Sequence, residues 1–328
     1  MSSPLTDALV PPARIVIADD IQESMAALAD LLREDGHEVF AASDGVAALE
    51  LVRREAPDLV LTDVHMPHLT GVELCKHLKA DPLTRLIPVM LVTGLADRQA
   101  RLDGIRAGAD DFLDKPVHST ELRARVHALI RLKRFTDDLD SAESILMTLA
   151  TTIEARDEYT SGHCERMAAY ASRLGVQLGL SSDEVTALAR GGFLHDLGKI
   201  AVPDAILLKP AALTVAEATV MKRHATLGAE LCGSLRLFRL VRPIVRHHHE
   251  RLDGSGYPDG LEGDNIPLLA QIMGVVDVYD ALTTDRPYRP ALSHDRAIEI
   301  LDDEVRCGWR RRDLVDAFVT MAVGAAAR

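Results

Sequence analysis

Residues 14–20, RIVIADD, place an apolar run of strand length directly before two adjacent aspartates. Downstream, 24–34 carries Met25, Leu28, Leu31 and Leu32 at helical spacing. The alternation then repeats, with strands at 38–42, 59–62, 88–92 and 111–113 and helices at 46–54, 71–79, 98–107 and 121–132. Five strand–helix alternations predict an α/β doubly wound, five-stranded parallel sheet with helices on both faces. Ligands of such sheets gather at the carboxyl ends of the strands. Residues 1–13, ending in Pro11-Pro12, read as a flexible lead.

The last helix has no clear stop, because 119–156 contains neither Pro nor Gly. Leu132, Leu139, Leu146 and Ile153 recur every seven residues, so this stretch is either a short coiled-coil seam joining two copies or one amphipathic helix packed on its own domain. Beyond 156 helical stretches are expected near 161–179, 183–193, 214–233, 235–249, 268–284 and 293–306, separated by Gly/Pro/Asp-rich loops. The expected division is a lead (1–13), an α/β domain (14–133), a linker helix (134–156) and an all-α domain (157–328).

Composition narrows the function. The 328 residues include 50 acidic and 37 basic side chains, a net charge of −13. That balance argues against a partner of long nucleic acid, which demands clustered Lys and Arg. No apolar run is long enough for membrane insertion, and residues 1–10 lack a basic n-region, so a cytoplasmic protein is expected. The four cysteines are scattered without CxxC spacing and read as reduced thiols. Six of the 13 histidines fall between His163 and His249.

In the first half, Asp19 and Asp20 follow the first strand, Asp63 the third, Thr93 the fourth and Lys115-Pro116 the fifth. Singly, an Asp after a strand is commonly a cap or turn residue. Together these positions converge on one sheet edge, where three carboxylates suit a hard cation such as Mg²⁺. The chemistry this suggests is attack by a carboxylate on a phosphoryl donor. Residues 14–133 thus resemble a response-regulator receiver domain, on Asp19-Asp20, Asp63 in DVHMP, Gly71, Thr93, Phe112 and Lys115-Pro116. The resemblance implies that Asp63 is the phosphoacceptor. It implies Mg²⁺ held by Asp20, Asp63 and the His65 carbonyl with help from Asp19, a Thr93/Phe112 switch pair, and Lys115 on the phosphate. A cognate sensor histidine kinase would be the partner.

In the second half, His195-Asp196 stands in the apolar frame FLHDLGK, and His163, His224, His247-His248-His249 and Asp277 lie at intervals around it. A lone His on an apolar face is more often a packed core residue. A set spread over separate helices instead suits divalent transition metals, with one carboxylate shared between two ions. His247 is set aside, because three successive helical side chains diverge by about 100° each and cannot all meet one ion. Lys199 follows Asp196 by three residues and would sit beside it on a helix.

Residues of about 150–310 resemble an HD-GYP domain, on YTSGH (159–163), HDLGKI (195–200), MKRHATLG (221–228), HHERLDGSGYP (248–258) and VVDVYDALTTDRPYR (275–289). That family hydrolyses cyclic di-GMP. The resemblance implies metal ligands His163, His195, Asp196, His224, His248, His249 and Asp277, with Asp196 bridging two divalent transition metals, iron or manganese. It implies Lys199 on the scissile phosphate and Gly256, Tyr257, Arg286 and Arg289 around the nucleotide. Three positions depart from the family: Tyr159 where some members place a Glu that supports a third metal, Ala211 where Gly is frequent, and Gln271 where Arg is frequent. The sum is a phosphorylation-controlled phosphodiesterase whose first product is pGpG, with further cleavage to GMP left open. Another cyclic dinucleotide as substrate, a catalytically weak sensor and a regulator acting through receiver pairing remain open alternatives.

Overall fold

In the computed structural model the described residues are 12–94, 97–156, 162–233, 235–285 and 290–326, the last four by backbone alone. The chain divides into two compact units, Met1–Ala142 and Glu143–Arg328. The boundary falls inside one long helix.

The first unit runs β1 (Arg14–Ala18), α1 (Gln22–Glu34), β2 (Glu38–Ala42), α2 (Gly45–Glu55), β3 (Leu59–Asp63), α3 (Gly71–Ala80), β4 (Val89–Gly94), α4 (Arg98–Ala107), β5 (Asp111–Lys115) and the start of α5 (Ser119–Glu154). All pairings are parallel, in the order β2-β1-β3-β4-β5. The expected doubly wound sheet is therefore present. Side chains alternate across it with period two. Ile15, Ile17, Leu59 and Leu61 pack one face with Leu28 and Leu32 of α1 and Leu122 and Val126 of α5. Val16, Ala18 and Val60 pack the other with Leu74 and Leu78 of α3. Because β1 and β3 are neighbours, their carboxyl ends bring Asp19, Asp20 and Asp63 side by side.

The second unit holds the end of α5, then α6 (His163–Gln177), α7 (Ser182–Leu194), a 3₁₀ turn (Leu197–Ala201), α8 (Asp204–Leu207), α9 (Val215–Cys232), α10 (Val241–His247), α11 (Leu268–Thr283), α12 (His294–Arg306) and α13 (Arg312–Ala326). Capping boxes start α7 (Ser181 with Glu184) and α9 (Thr214 with Glu217), satisfying N–H groups that a helix leaves open at its start. α11 is apolar nearly all round and forms the centre of the core, with Leu269, Ile272, Met273, Val275 and Val276 buried.

Three expectations need correction. The stretch expected as one helix over 235–249 is a 3₁₀ turn (Arg236–Phe238) followed by the short α10. α13 had no counterpart in the sequence reading. The seven-residue repeat of α5 is not one continuous seam: Leu146 and Ile153 pack into the core of the second unit, whereas Leu132 is 57% exposed. Among the described residues, no helix is long and apolar enough to cross a membrane.

One buried histidine makes the first unit sensitive to acid. His37 Nδ1 accepts the Ala13 N–H at 3.2 Å, so its proton sits on Nε2, which is buried without a partner among the described residues. Burial pushes its pKa down, and His127 of α5 and Arg134 add to this, against Asp35 and Asp58. The unfolded chain therefore takes up this proton first, and stability falls as pH drops below the unfolded value of about 6.5 toward the lowered native one. His37→Gln, which keeps an acceptor for Ala13, is expected to lose less thermal midpoint than wild type between about pH 8 and about pH 5.5. Equal losses would contradict this.

Candidate metal centre and phosphoacceptor site

At the sheet edge, ligand oxygens of Asp19, Asp20 and Asp63 lie within 4.8 Å of one another. Lys115 reaches over from the end of β5, its Nζ 2.7 Å from Asp63 Oδ1 and 3.5 Å from Asp19 Oδ2. Burial alone would lower this lysine's pKa, but the two carboxylates outweigh it and hold the ammonium above its ordinary value. Asp19 is fixed by the Ile21 N–H and the Ser24 hydroxyl, which both donate to it. Thr93 is the penultimate residue of β4, at the same sheet edge, and Phe112 of β5 is buried beneath Arg101. The His65 imidazole lies away from the carboxylates, 2.5 Å from Asp97, the N-cap of α4. Three clustered carboxylates with a single lysine leave negative charge that a hard cation would neutralise.

The second unit brings its histidines together by ending helices, not by continuing them. α7 stops at Leu194, so the His195-Asp196 pair lies at the exit of the helix rather than within it. The 3₁₀ turn that follows has three residues per turn and sets Lys199 directly beside Asp196, Nζ to Oδ2 2.5 Å. Gly198 allows this turn to press on α9: a Cβ there would meet the His224 carbonyl at 1.9 Å. α10 likewise ends at His247, and beyond it the His248 and His249 rings come within 4.0 Å of each other. His247 turns to Asp259 and Glu250 instead, as the divergence of side chains requires.

Two groups of ligand atoms result. Asp196, His224, His248 and His249 form one, and His163, His195 and Asp277 the other, each within 4.8 Å. Asp196 stands between them. Its Oδ1 lies 3.3 Å from His224 Nε2 and its Oδ2 3.4 Å from His195 Nε2. His195 Nε2 is in turn 3.3 Å from His163 Nε2.

The hydrogen bonds at the outer ring nitrogens settle how these imidazoles are oriented. Nδ1 of His195, His224 and His248 faces the carbonyls of Gly192, Met221 and Val245 at 3.0, 2.7 and 2.9 Å. A carbonyl only accepts, so Nδ1 carries the proton and Nε2 presents a lone pair inward. His163 Nδ1 donates to Asp280 at 2.7 Å. The Nε2 atoms of His224 and His248 are buried with no hydrogen-bond partner among the described residues. Burial and neighbouring imidazoles push His248 down to about 3, and burial lowers His224 and, further, His249. Burial would raise Asp196, but Lys199, His195 and His224 hold its carboxyl well below the ordinary range. At His163 burial would lower the imidazole, but Asp280, Asp277 and Asp196 raise it. Neutral nitrogens on His224, His248 and His249, ionised carboxylates and orphaned buried acceptors fit divalent transition metals.

Four residues of the site were not assigned from the sequence. Asp280 anchors His163 and is itself gripped by Arg166 at 2.6 Å; although burial would raise it, His163 and Arg166 hold its carboxyl at about 2. The spacing of Asp277 and Asp280, three apart on α11, was the available signal. Glu154 accepts the His163 N–H. Glu250 accepts three backbone N–H groups, from Asp259, Gly260 and Leu261, and so shapes the glycine-rich loop. In that loop Gly256 lies where a Cβ would meet the Arg251 nitrogen at 2.4 Å, and Tyr257 stacks on His249 at 4.7 Å. Tyr159, Arg286 and Arg289 lie outside the described residues. A cavity lined by His163, Asp196 and Lys199 opens beside the cluster toward Ile153 and Leu207.

An α/β unit with a carboxylate cluster at its sheet edge, followed by a helical unit with clustered histidines and aspartates, is the arrangement of a signalling phosphohydrolase. The profile of the response regulator receiver domain matches residues 15–127, and that of the HD domain residues 114–309. The chain is 39% identical over 310 residues to the cyclic di-GMP phosphodiesterase response regulator RpfG of Xanthomonas campestris, covering 88% of this chain and 82% of that one. It is 35% identical over 322 residues to a probable cyclic di-GMP phosphodiesterase of Vibrio cholerae, covering 88% and 73%. The 3'3'-cGAMP-specific phosphodiesterase 3 of Vibrio cholerae is 38% identical over 169 residues, 51% of this chain and 37% of that one. The chain belongs to the HD-domain family, as a response regulator whose receiver precedes the HD domain. HD domains are metal-dependent, and receivers generally bind Mg²⁺.

The close approach at Gly198 yields a test. Gly198→Ala forces the 3₁₀ turn away from the α9 backbone, which cannot yield as a flexible side chain would. We expect about 1–3 kcal/mol of lost stability and reduced metal content, checked by urea unfolding and elemental analysis. Unchanged stability and metal content would contradict the packing account.

Proposed function

We propose that the chain hydrolyses cyclic di-GMP to linear pGpG, and onward to GMP, at two divalent transition metals, iron or manganese, and that phosphorylation of Asp63 governs this activity. The observation that carries the reading is Asp196: one of its oxygens faces His195 Nε2 of one ligand group and the other faces His224 Nε2 of the second. His163, His195 and Asp277 would hold one ion, His224, His248 and His249 the other, and Asp196 both. When bound, the ions activate a water and neutralise charge developing on phosphoryl oxygens.

The chain's own groups do the rest. Lys199, held beside Asp196, places a third positive charge where a phosphoryl oxygen would sit. Tyr257 is raised in pKa, chiefly by burial and then by Asp196 and Asp277, so it stays a neutral phenol, its ring stacked on His249 with the Lys222 ammonium 5.0 Å from the ring centroid. Gly256 lets the loop backbone approach, and Arg286 and Arg289 would supply further cations to the nucleotide. Hydrolysis joins the water oxygen to phosphorus and breaks the bond to the 3′-oxygen, opening the ring. In the first unit Asp63 would take phosphate from a sensor kinase, with Mg²⁺ on Asp19, Asp20, Asp63 and the His65 carbonyl. Lys115 would hold the phosphate, and Thr93 with Phe112 would report its arrival.

Two experiments test this. Anaerobically prepared protein is expected to turn over cyclic di-GMP faster than 3'3'-cGAMP. His195→Ala and Asp196→Ala should abolish turnover, and Lys199→Ala should lower kcat about 10²- to 10³-fold. Binding without turnover in metal-loaded protein would replace the enzyme by a sensor, and preference for 3'3'-cGAMP would replace the substrate. Separately, acetyl phosphate should label wild type and not Asp63→Asn; a labelled variant would move the phosphoacceptor elsewhere.

A further inference from the structure

α6 begins at His163 with no side-chain cap of its own, since its N-cap is Gly162 in the left-handed region (φ 73°). The first N–H groups of a helix need an outside acceptor. Here the acceptor comes from another helix: Glu154, the last residue of α5, takes the backbone N–H of His163 at 2.6 Å. A carboxylate is favoured at this end by the helix dipole. Glu154 also lines the cavity that His163, Asp196 and Lys199 share. His163 is thereby held at two points, its N–H by Glu154 and its Nδ1 by Asp280, which leaves only Nε2 to face the centre.

We propose that Glu154 is a positioning residue for the metal centre, setting the attitude of His163 from the final turn of α5. This rests on the dinuclear reading of the site. An ordinary cap would stabilise α6 from any of its first N–H groups. Glu154 engages the one that belongs to a ligand residue, and it does so from the helix that starts at Ser119 in the first unit. A shift of that last turn would therefore act directly on His163.

The test uses the full chain and Co²⁺, whose visible spectrum reports ligand number and geometry, with wild type, Glu154→Gln, Glu154→Asp and Glu154→Leu. Gln keeps an oxygen acceptor at the same reach and is expected to keep the spectrum and both affinities within a few-fold. Leu is expected to weaken one of the two Co²⁺ ions by about 10- to 100-fold, the usual cost of losing a group that orients a ligand, and to change the spectrum. Asp, one methylene shorter, should alter the spectrum in the same direction and serves if the Leu variant fails to fold. Wild-type spectra and affinities in folded Leu or Asp variants would overturn the proposal while leaving the metal reading intact. A wild-type chain that takes up no Co²⁺ would overturn the metal reading itself, and this proposal with it.

Discussion

The second unit depends on one electrostatic constraint: nitrogen lone pairs and carboxylate oxygens are turned toward one point with too little positive charge to balance them. Carbonyls behind His195, His224 and His248 fix the protons on the outward nitrogens. Asp280, ionised under the grip of Arg166, does the same for His163. Lys199 is already committed to Asp196. Burying such acceptors without partners is costly, so the arrangement makes physical sense as a receptacle for cations. The receiver unit repeats the constraint in a smaller form, with Asp19, Asp20 and Asp63 sharing Lys115.

Helix ends meet the geometric demand. Successive side chains of a helix fan out by about 100°, so a helix interior delivers one ligand per turn to a given point. The centre instead collects His195 and Asp196 where α7 stops, His248 and His249 where α10 stops, and His163 where α6 starts. Only His224 and Asp277 come from helix interiors, one from each of α9 and α11. The apolar centre of α11 and the glycine contact at Gly198 hold these ends in register.

What could be read in the sequence follows from the same physics. The sheet was legible because strands such as 14–18 are apolar runs flanked by polar residues, and strand 38–42 has the same bounds in the fold. The residues that cluster in the second unit stood out because histidines and aspartates in apolar frames are costly without a partner. The setting of His195-Asp196 was misjudged, because helical apolar spacing runs on through FLHDLGK while the backbone leaves the helix at Leu194. The supports Asp280, Glu154 and Glu250 were not legible as such: their work is done through backbone N–H groups and ring nitrogens whose positions depend on packing. The seam on α5 divided because Leu146 and Ile153 found an intramolecular core that periodicity alone does not reveal.

Asp196, as proposed, would be shared by two ions. Anomalous diffraction from Mn²⁺-loaded crystals should then show two peaks about 3.5–4 Å apart, one on each side of Asp196. A single peak, or two peaks that do not share Asp196, would contradict it.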